Sequence, residues 1–350
     1  MEVEPSPPIS LFQADRPKSG AGDDILDRRP LYAALLVLAM LMFSSFYLNY
    51  SADRGRGEVA INDLTIITSD NTRFNVTVVQ PQNPSYEVAM PVVLTIPSPS
   101  ETYSDLFAFN IEMARRNMTV ISVHLSPWST GIAALDNATL DLTSSYCMQA
   151  LNVVRQQHLF DRHIYGILFH SDSFPVAIRI MNKTSIPTAT VCVGSINTAN
   201  SGSFSRFHGN LLFLLGNRNE FLSTNEATSI MQQVSGIPSF QPNEMYGAFV
   251  NHTAYMLSTA DADASSELTN PTMVAESCSW MVQALQGASQ FVHTLDVHQQ
   301  VYQLKFYAAD ITLFSVGGLV VVCAILVYSL RPSLTNKGLS RSLSPQTGEN

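Results

Sequence analysis

The chain has 350 residues, 28 acidic and 19 basic side chains, a formal net charge of −9, and is 46% hydrophobic but only 13% charged. That length admits one large domain or two ordinary ones, and an acidic balance with no basic cluster interleaved with aromatics excludes a nucleic-acid partner. So little charge is unusual for a soluble chain, and two segments account for it.

Residues 1–29 are rich in Pro, Ser, Gly and charge and read as a disordered tail. Segment 30–50, which contains LYAALLVLAMLMFSSFYLNY, carries no charge and is long enough to cross a bilayer as a helix. Its apolar run exceeds a signal-peptide h-region and follows a long polar tail, so a retained anchor is expected rather than a cleaved leader. Segment 311–330 (ITLFSVGGLVVVCAILVYSL) repeats the pattern, and 331–350 reads as a second disordered tail. Arg28 and Arg29 before the first span, and Arg331, Lys337 and Arg341 after the second, place both termini in the cytoplasm by the positive-inside tendency. Arg54 and Arg56 oppose it. The N-x-S/T sequons restore the assignment, because Asn49, Asn75, Asn117, Asn137, Asn182 and Asn251 all lie between or at the edge of the spans. Domain 51–306 is therefore expected outside the cytoplasm, with the lipid bilayer and other membrane or extracytoplasmic proteins as partners. Cys147, Cys192 and Cys278 are an odd number without C-x-x-C spacing, so buried free thiols are expected rather than a disulfide framework.

Within that domain, Val59–Thr68 and Arg73–Gln80 read as an antiparallel pair across a Ser-Asp-Asn turn, and Pro91–Ile96 (PVVLTI) as a buried strand. A helix is expected over Tyr103–Arg116, a strand over Met118–Val123, a helix over Asp136–Gln157 with Leu140, Cys147, Leu151 and Val154 on one face, and a strand over Ile164–Phe169. A sharp polar turn carrying Ser171 follows. Pro175 then falls in the first turn of a helix, where its missing N–H is harmless. Thr188–Val193 and Asn210–Leu215 are further strands, Ser223 and Glu226 form a capping box opening a helix that reaches Gln233, and Met245–Val250 is the last strand candidate. A closing helix presents Val274, Cys278, Met281 and Leu285 on its apolar face. The alternation of strands and helices predicts an α/β domain, a mostly parallel sheet with helices on both faces, flanked by the two transmembrane helices.

The strand–Ser171–helix layout resembles the nucleophile elbow of the α/β-hydrolases, in which the pattern G-x-S-x-G has become F-H-S-D-S, with Phe169 and Ser173 replacing the glycines. The order and spacing of elements resemble that family over roughly Val59 to Gly287, and Ser195–Gly209 is too short for the cap that many hydrolases insert. The resemblance implies the order serine, acid, histidine: Ser171 as nucleophile, Asn219 in LLFLLGNRNEFLS where the acid belongs with Glu220 beside it as a substitute, and His252 as base. Ser98 and Asp172 would supply the oxyanion backbone donors, although Pro97 removes one N–H from that loop. Holding Ser171 in a strained turn next to Phe169 costs about 1–3 kcal/mol, so a relaxed turn is expected. An amide in place of the acid lowers turnover by about ten-thousandfold in a serine protease. A glycan on Asn251 would stand beside His252.

His124, His158, His163 and His170 have ordinary structural explanations, and Asp261, Asp263 and Glu267 read as a solvated loop without calcium-loop spacing. No metal and no cofactor are expected. Two functional classes stay open: a membrane-anchored, glycosylated binding or assembly module whose fold has lost its chemistry, or an active serine hydrolase of ester, thioester or peptide bonds using Ser171 and His252.

Overall fold

The computed structural model describes residues 29–68, 71–83, 89–102, 104–124, 136–156, 160–183, 186–196, 209–287 and 303–339. The expected N-terminal tail, the stretch 197–208 and residues 340–350 lie outside them. Two compact units are present, residues 1–47 with 308–350, and residues 48–307.

The first unit is a pair of long helices, α1 (Arg29–Asp53) and α7 (Gln303–Leu339). Apolar windows of 22 residues (Tyr32–Asp53, mean hydropathy 1.7) and 19 residues (Tyr307–Ile325, mean hydropathy 2.1) are each long enough to cross a membrane. Ala308, Ser315 and Val322 are buried at a repeat of seven, which keeps one side of α7 on its neighbour. The Ser45 hydroxyl donates to Ala308 O at 2.7 Å and also bonds Thr312 Oγ1. Gly318 lets Leu38 approach so closely that a Cβ would stand 2.6 Å from Leu38 Cδ2. Contrary to the expected tail at 331, α7 continues to Leu339. The helix runs through Pro332, which has no N–H to give the i→i−4 ladder, over a segment whose polar sequence alone suggested disorder.

The second unit is built on a nine-stranded sheet in the order β1-β2-β4-β3-β5-β6-β7-β9-β8. Its strands are β1 Val59–Ile67, β2 Arg73–Pro81, β3 Met90–Ile96, β4 Thr119–His124, β5 Phe160–His170, β6 Ala189–Val193, β7 Asn210–Gly216, β8 Met245–Tyr246 and β9 Tyr255–Ala260. β1 and β2 form the expected antiparallel pair, β2 is also antiparallel to β4, β4, β3, β5, β6, β7 and β9 run parallel in that order, and β8 closes the edge antiparallel. Buried parallel strands need apolar residues on both sides, and β3, β6 and β7 are buried at every position.

Side chains alternate across the sheet. Tyr165, Ile167 and Phe169 pack with α3 (Asn137–Arg155), α4 (Phe174–Lys183) and α5 (Thr224–Ser235), while Leu168 packs with α2 (Phe107–Ala114) and α6 (Pro271–Gln286). Helices thus cover both faces of the mostly parallel sheet, as expected. The capping box at Ser223 and Glu226 is present, Pro175 lies in the first turn of α4, and Cys147, Cys192 and Cys278 are buried free thiols. Burial pushes the thiols of Cys147 and Cys278 up to about 12.

One strand differs from expectation. Met245–Val250 pairs only at Met245 and Tyr246, because Gly247 turns the chain at φ +79 and a 3-10 turn covers Phe249–Asn251. The last parallel strand is instead Tyr255–Ala260, whose Met256 and Leu257 are fully buried.

Ser173 carries a local prediction. Its buried hydroxyl donates to Ile96 O at 3.1 Å and lies 2.8 Å from His170 O, tying the ends of β3 and β5 together. Ser173→Ala removes a buried polar link and leaves carbonyls short of a donor, a change of about 1–3 kcal/mol. Urea unfolding of the variant will show a lower midpoint at unchanged slope.

Candidate functional site

Parallel strands deliver their following loops to one edge of the sheet, where crevices form. At that edge the loops after β3, β5, β6, β7 and β9 surround a cleft of about 470 Å³, lined by Ser98, Ser100, Glu101, His170, Ser171, Asp172, Ser195, Ile196, Phe221, Leu222, Glu226, Ala264 and Glu267.

Ser171 sits where the elbow layout puts it. β5 ends at His170, a 3-10 turn covers Ser171–Ser173, and α4 follows. Ser171 holds φ +47, so the expected relaxed turn is not adopted. The crowding foreseen from Phe169 does not arise, since its ring enters the core 6.1 Å from that of Phe174 while Ser173 bonds both strand ends. The strain of a left-handed serine is thereby held by packing and hydrogen bonds around it.

His252 is not brought to Ser171. It ends the 3-10 turn before β9, exposed and at φ +54. β9 is parallel to β7, β6 and β5, so its first residue lies at the opposite edge, about 20 Å of strand away at 3.3 Å per residue. The cause of the misplacement is the strand identified one step too early. Asn251, with its sequon, moves to that far edge as well, so a glycan there stands clear of the cleft.

Asn219 and Glu220 do reach the carboxyl edge, in other roles. Asn219 Oδ1 accepts from the N–H groups of Phe221 (2.9 Å) and Leu222 (3.0 Å), while its Nδ2 donates to Glu267 Oε1 at 2.8 Å. A carboxylate at this position would face the carboxylate of Glu267, which explains the amide. Glu220 is exposed and its Oε2 accepts from Ala264 N at 3.4 Å. Neither orients an imidazole.

Of the two oxyanion donors, Asp172 lines the cleft next to Ser171, but the Ser98 N–H is engaged. It donates to Glu101 Oε2 at 2.8 Å. His170 Nδ1 stands 2.8 Å from the same oxygen and 2.7 Å from Glu101 Oε1, which assigns the Nδ1 proton to that contact. Among the described residues Ser171 Oγ hydrogen-bonds Ser195 Oγ at 3.4 Å. A carboxylate thus takes up the Ser98 N–H, the donor that the resemblance assigned to an oxyanion.

Glu101, His170, Ser195 and Glu267 are the residues that sequence reasoning missed. Glu101 and His170 lie 69 positions apart and no local pattern joins them. Glu267 had been placed in a solvated loop, yet it is 1% exposed and its Oε1 accepts from Gly216 N–H at 2.7 Å as well as from Asn219. The signal that would have found it is the apolar run YMLSTA, since recognising that run as β9 puts the following acidic loop at the cleft. Among the described residues no group of His, Cys, Asp and Glu is placed to hold a metal.

Burial raises the carboxyl of Glu267 above the ordinary glutamate range, against the lowering effect of its two donors and of His170. A carboxyl whose folded value is raised favours the folded state below its ordinary value near 4.5 and loses that advantage as pH rises through the folded value. Gln at this position keeps the Oε1 acceptor and does not titrate. Glu267→Gln will therefore raise Tm at pH 8, and the gain over wild type will shrink toward zero by about pH 4, read by thermal melts across that range.

No family model matches the chain, and no curated protein matches its sequence. Solved structures do. A zinc-bound cold-adapted esterase from an Arctic intertidal metagenomic library is similar at 11% identity and a TM-score of 0.48, over 66% of this chain and 96% of that one. An esterase of Pyrococcus furiosus is similar at 10% identity and a TM-score of 0.46, over 65% of this chain and 92% of that one. A puromycin hydrolase is similar at 10% identity and a TM-score of 0.45, over 65% of this chain and 39% of that one. Each resemblance is one of fold.

Proposed function

We propose that the chain is a double-pass membrane protein with cytoplasmic termini, whose hydrolase-like domain is extracytoplasmic, glycosylated and catalytically silent, and acts as a binding or assembly module. The observation that carries the loss of chemistry is the Glu101 carboxylate, which takes both the Ser98 N–H and His170 Nδ1. It removes a donor from the oxyanion position and puts a negative charge beside the place an oxyanion would occupy. Among the described residues Ser171 has a hydroxyl neighbour, and no histidine is hydrogen-bonded to it. The retained φ of +47 at Ser171 is what favours the active-hydrolase reading, but an elbow without a base leaves the serine at its ordinary, weak nucleophilicity.

The membrane assignment is supported by two apolar helices hydrogen-bonded to one another through Ser45. The glycoprotein assignment is supported by exposure of Asn75, Asn117, Asn137, Asn182 and Asn251. Asn117, before β4, Asn182, at the end of α4, and Asn251, before β9, lie at the edge of the sheet opposite the cleft. Glycans on these three would leave the binding edge uncovered.

Two experiments test the reading. Full-length protein in detergent, treated with a fluorophosphonate probe, will label no more than Ser171→Ala; labelling that disappears in that variant would establish an activated serine and end the silent-fold reading. Protein made in secretory cells will lose mass on treatment with peptide N-glycosidase, in steps that single Asn→Gln changes remove one at a time. An unchanged mass would contradict the extracytoplasmic placement.

A further inference from the structure

We infer that the cleft binds a small organic cation, a primary ammonium carried on an aromatic or apolar body. The inference rests on the proposed reading of the cleft as a ligand-binding site. Glu101, Asp172, Glu226 and Glu267 line it, and among the described residues no Lys or Arg does, so this lining favours a cation over an anion.

Charge alone would not define a ligand, but the unfilled valences do. Glu267 is 1% exposed and its Oε1 is filled by Gly216 and Asn219, whereas Oε2 has no hydrogen-bond partner among the described residues. His170 is 7% exposed; with its Nδ1 proton on Glu101, Nε2 is an acceptor, also without a partner. These two atoms converge beside Gly194, where a Cβ would stand 2.7 Å from Glu267 Oε2 and 2.9 Å from His170 Nε2. Ser98 is 4% exposed and lines the same cleft, and while its N–H is spent on Glu101 its hydroxyl makes no hydrogen bond among the described residues.

Acceptors left open on side chains that line a cleft are places where a ligand's donors can bind. An ammonium group offers three N–H donors, accepts none, and brings the charge that the surrounding carboxylates favour. Water can fill one such valence; it brings no charge. For the body of the ligand the rim supplies Phe221, 78% exposed, whose ring can stack on an apolar group or face a cation. A volume of about 470 Å³ suits a small molecule.

The test is isothermal titration of the full-length protein in detergent at pH 7.5 with 2-phenylethylammonium, its neutral analogue 2-phenylethanol and its anionic analogue phenylacetate. Saturable binding of the ammonium at one site per chain is expected, with the alcohol at least ~10-fold weaker and phenylacetate without measurable heat. Glu267→Gln, which removes the open acceptor while keeping the filled one, will weaken the ammonium at least ~10-fold. A melt of the variant confirms folding. Phe221→Ala will weaken all ligands and keep their order. Equal binding of ammonium and alcohol, unchanged affinity in Glu267→Gln, or no binding by folded wild type would each overturn the inference. The fluorophosphonate experiment separates the two proposals: ammonium binding in a protein that also labels refutes the silent fold and leaves the cation site standing, and a protein that neither labels nor binds the ammonium refutes the cation site alone.

Discussion

Parallel pairing is the constraint on which the domain depends. In the sheet order β4-β3-β5-β6-β7-β9 the strands share one direction, so each crossover must return to the far edge before the next parallel strand can begin, along a helix after β3, β4, β5 and β7. Every loop that follows a strand is thereby sent to one edge, and residues distant in sequence meet there. Glu101 reaches His170 and Gly216 reaches Glu267 for this reason. The helices that make the return journeys cover both faces, and their apolar sides complete two cores of alternating parity on the same strands.

The turn at Ser171 shows how a strand–serine–helix geometry can be held without glycines on either side of the serine. A glycine before the serine would let the helix close on the strand; here Phe169 goes inward, and the one Ser173 hydroxyl proton is shared between the carbonyls of Ile96 and His170. Close approach is retained elsewhere. Gly166 lets α6 lie on β5 so tightly that a Cβ would stand 2.7 Å from Met281 Sδ. The positive φ at Ser171 persists because its neighbours are fixed on both sides.

Most of the fold was legible because its rules are local. Apolar runs bounded by turn residues marked the strands, the Ser223–Glu226 pair marked a helix start, and the helical spacing of Val274, Cys278, Met281 and Leu285 marked a buried face that is indeed buried. The error came where two short apolar runs competed. Met245–Val250 lacks polar interruptions but contains Gly247, whose Cβ would overlap Thr253 O at 1.8 Å, a turn that only the three-dimensional path reveals. Tyr255–Ala260 contains Ser258 and Thr259, which weaken its pattern, yet it carries the parallel pairing. Placing the strand about ten residues early reversed the edge to which its neighbours belong, so His252 was assigned to the cleft and Glu267 to solvent. The Glu101–His170 contact had no sequence signal at all, being a product of loop convergence.

The three buried thiols have a consequence for how this domain fails. Cys147, Cys192 and Cys278 are fully enclosed, unpaired and held protonated by burial, and a thiol that cannot ionise neither oxidises nor exchanges. Folding is therefore their protection. Each global opening in an oxidising medium releases three ionisable thiols at once, able to form crosslinks that no native pairing would correct. Durability of the domain in such a medium is then governed by how rarely it opens, a rate rather than an equilibrium.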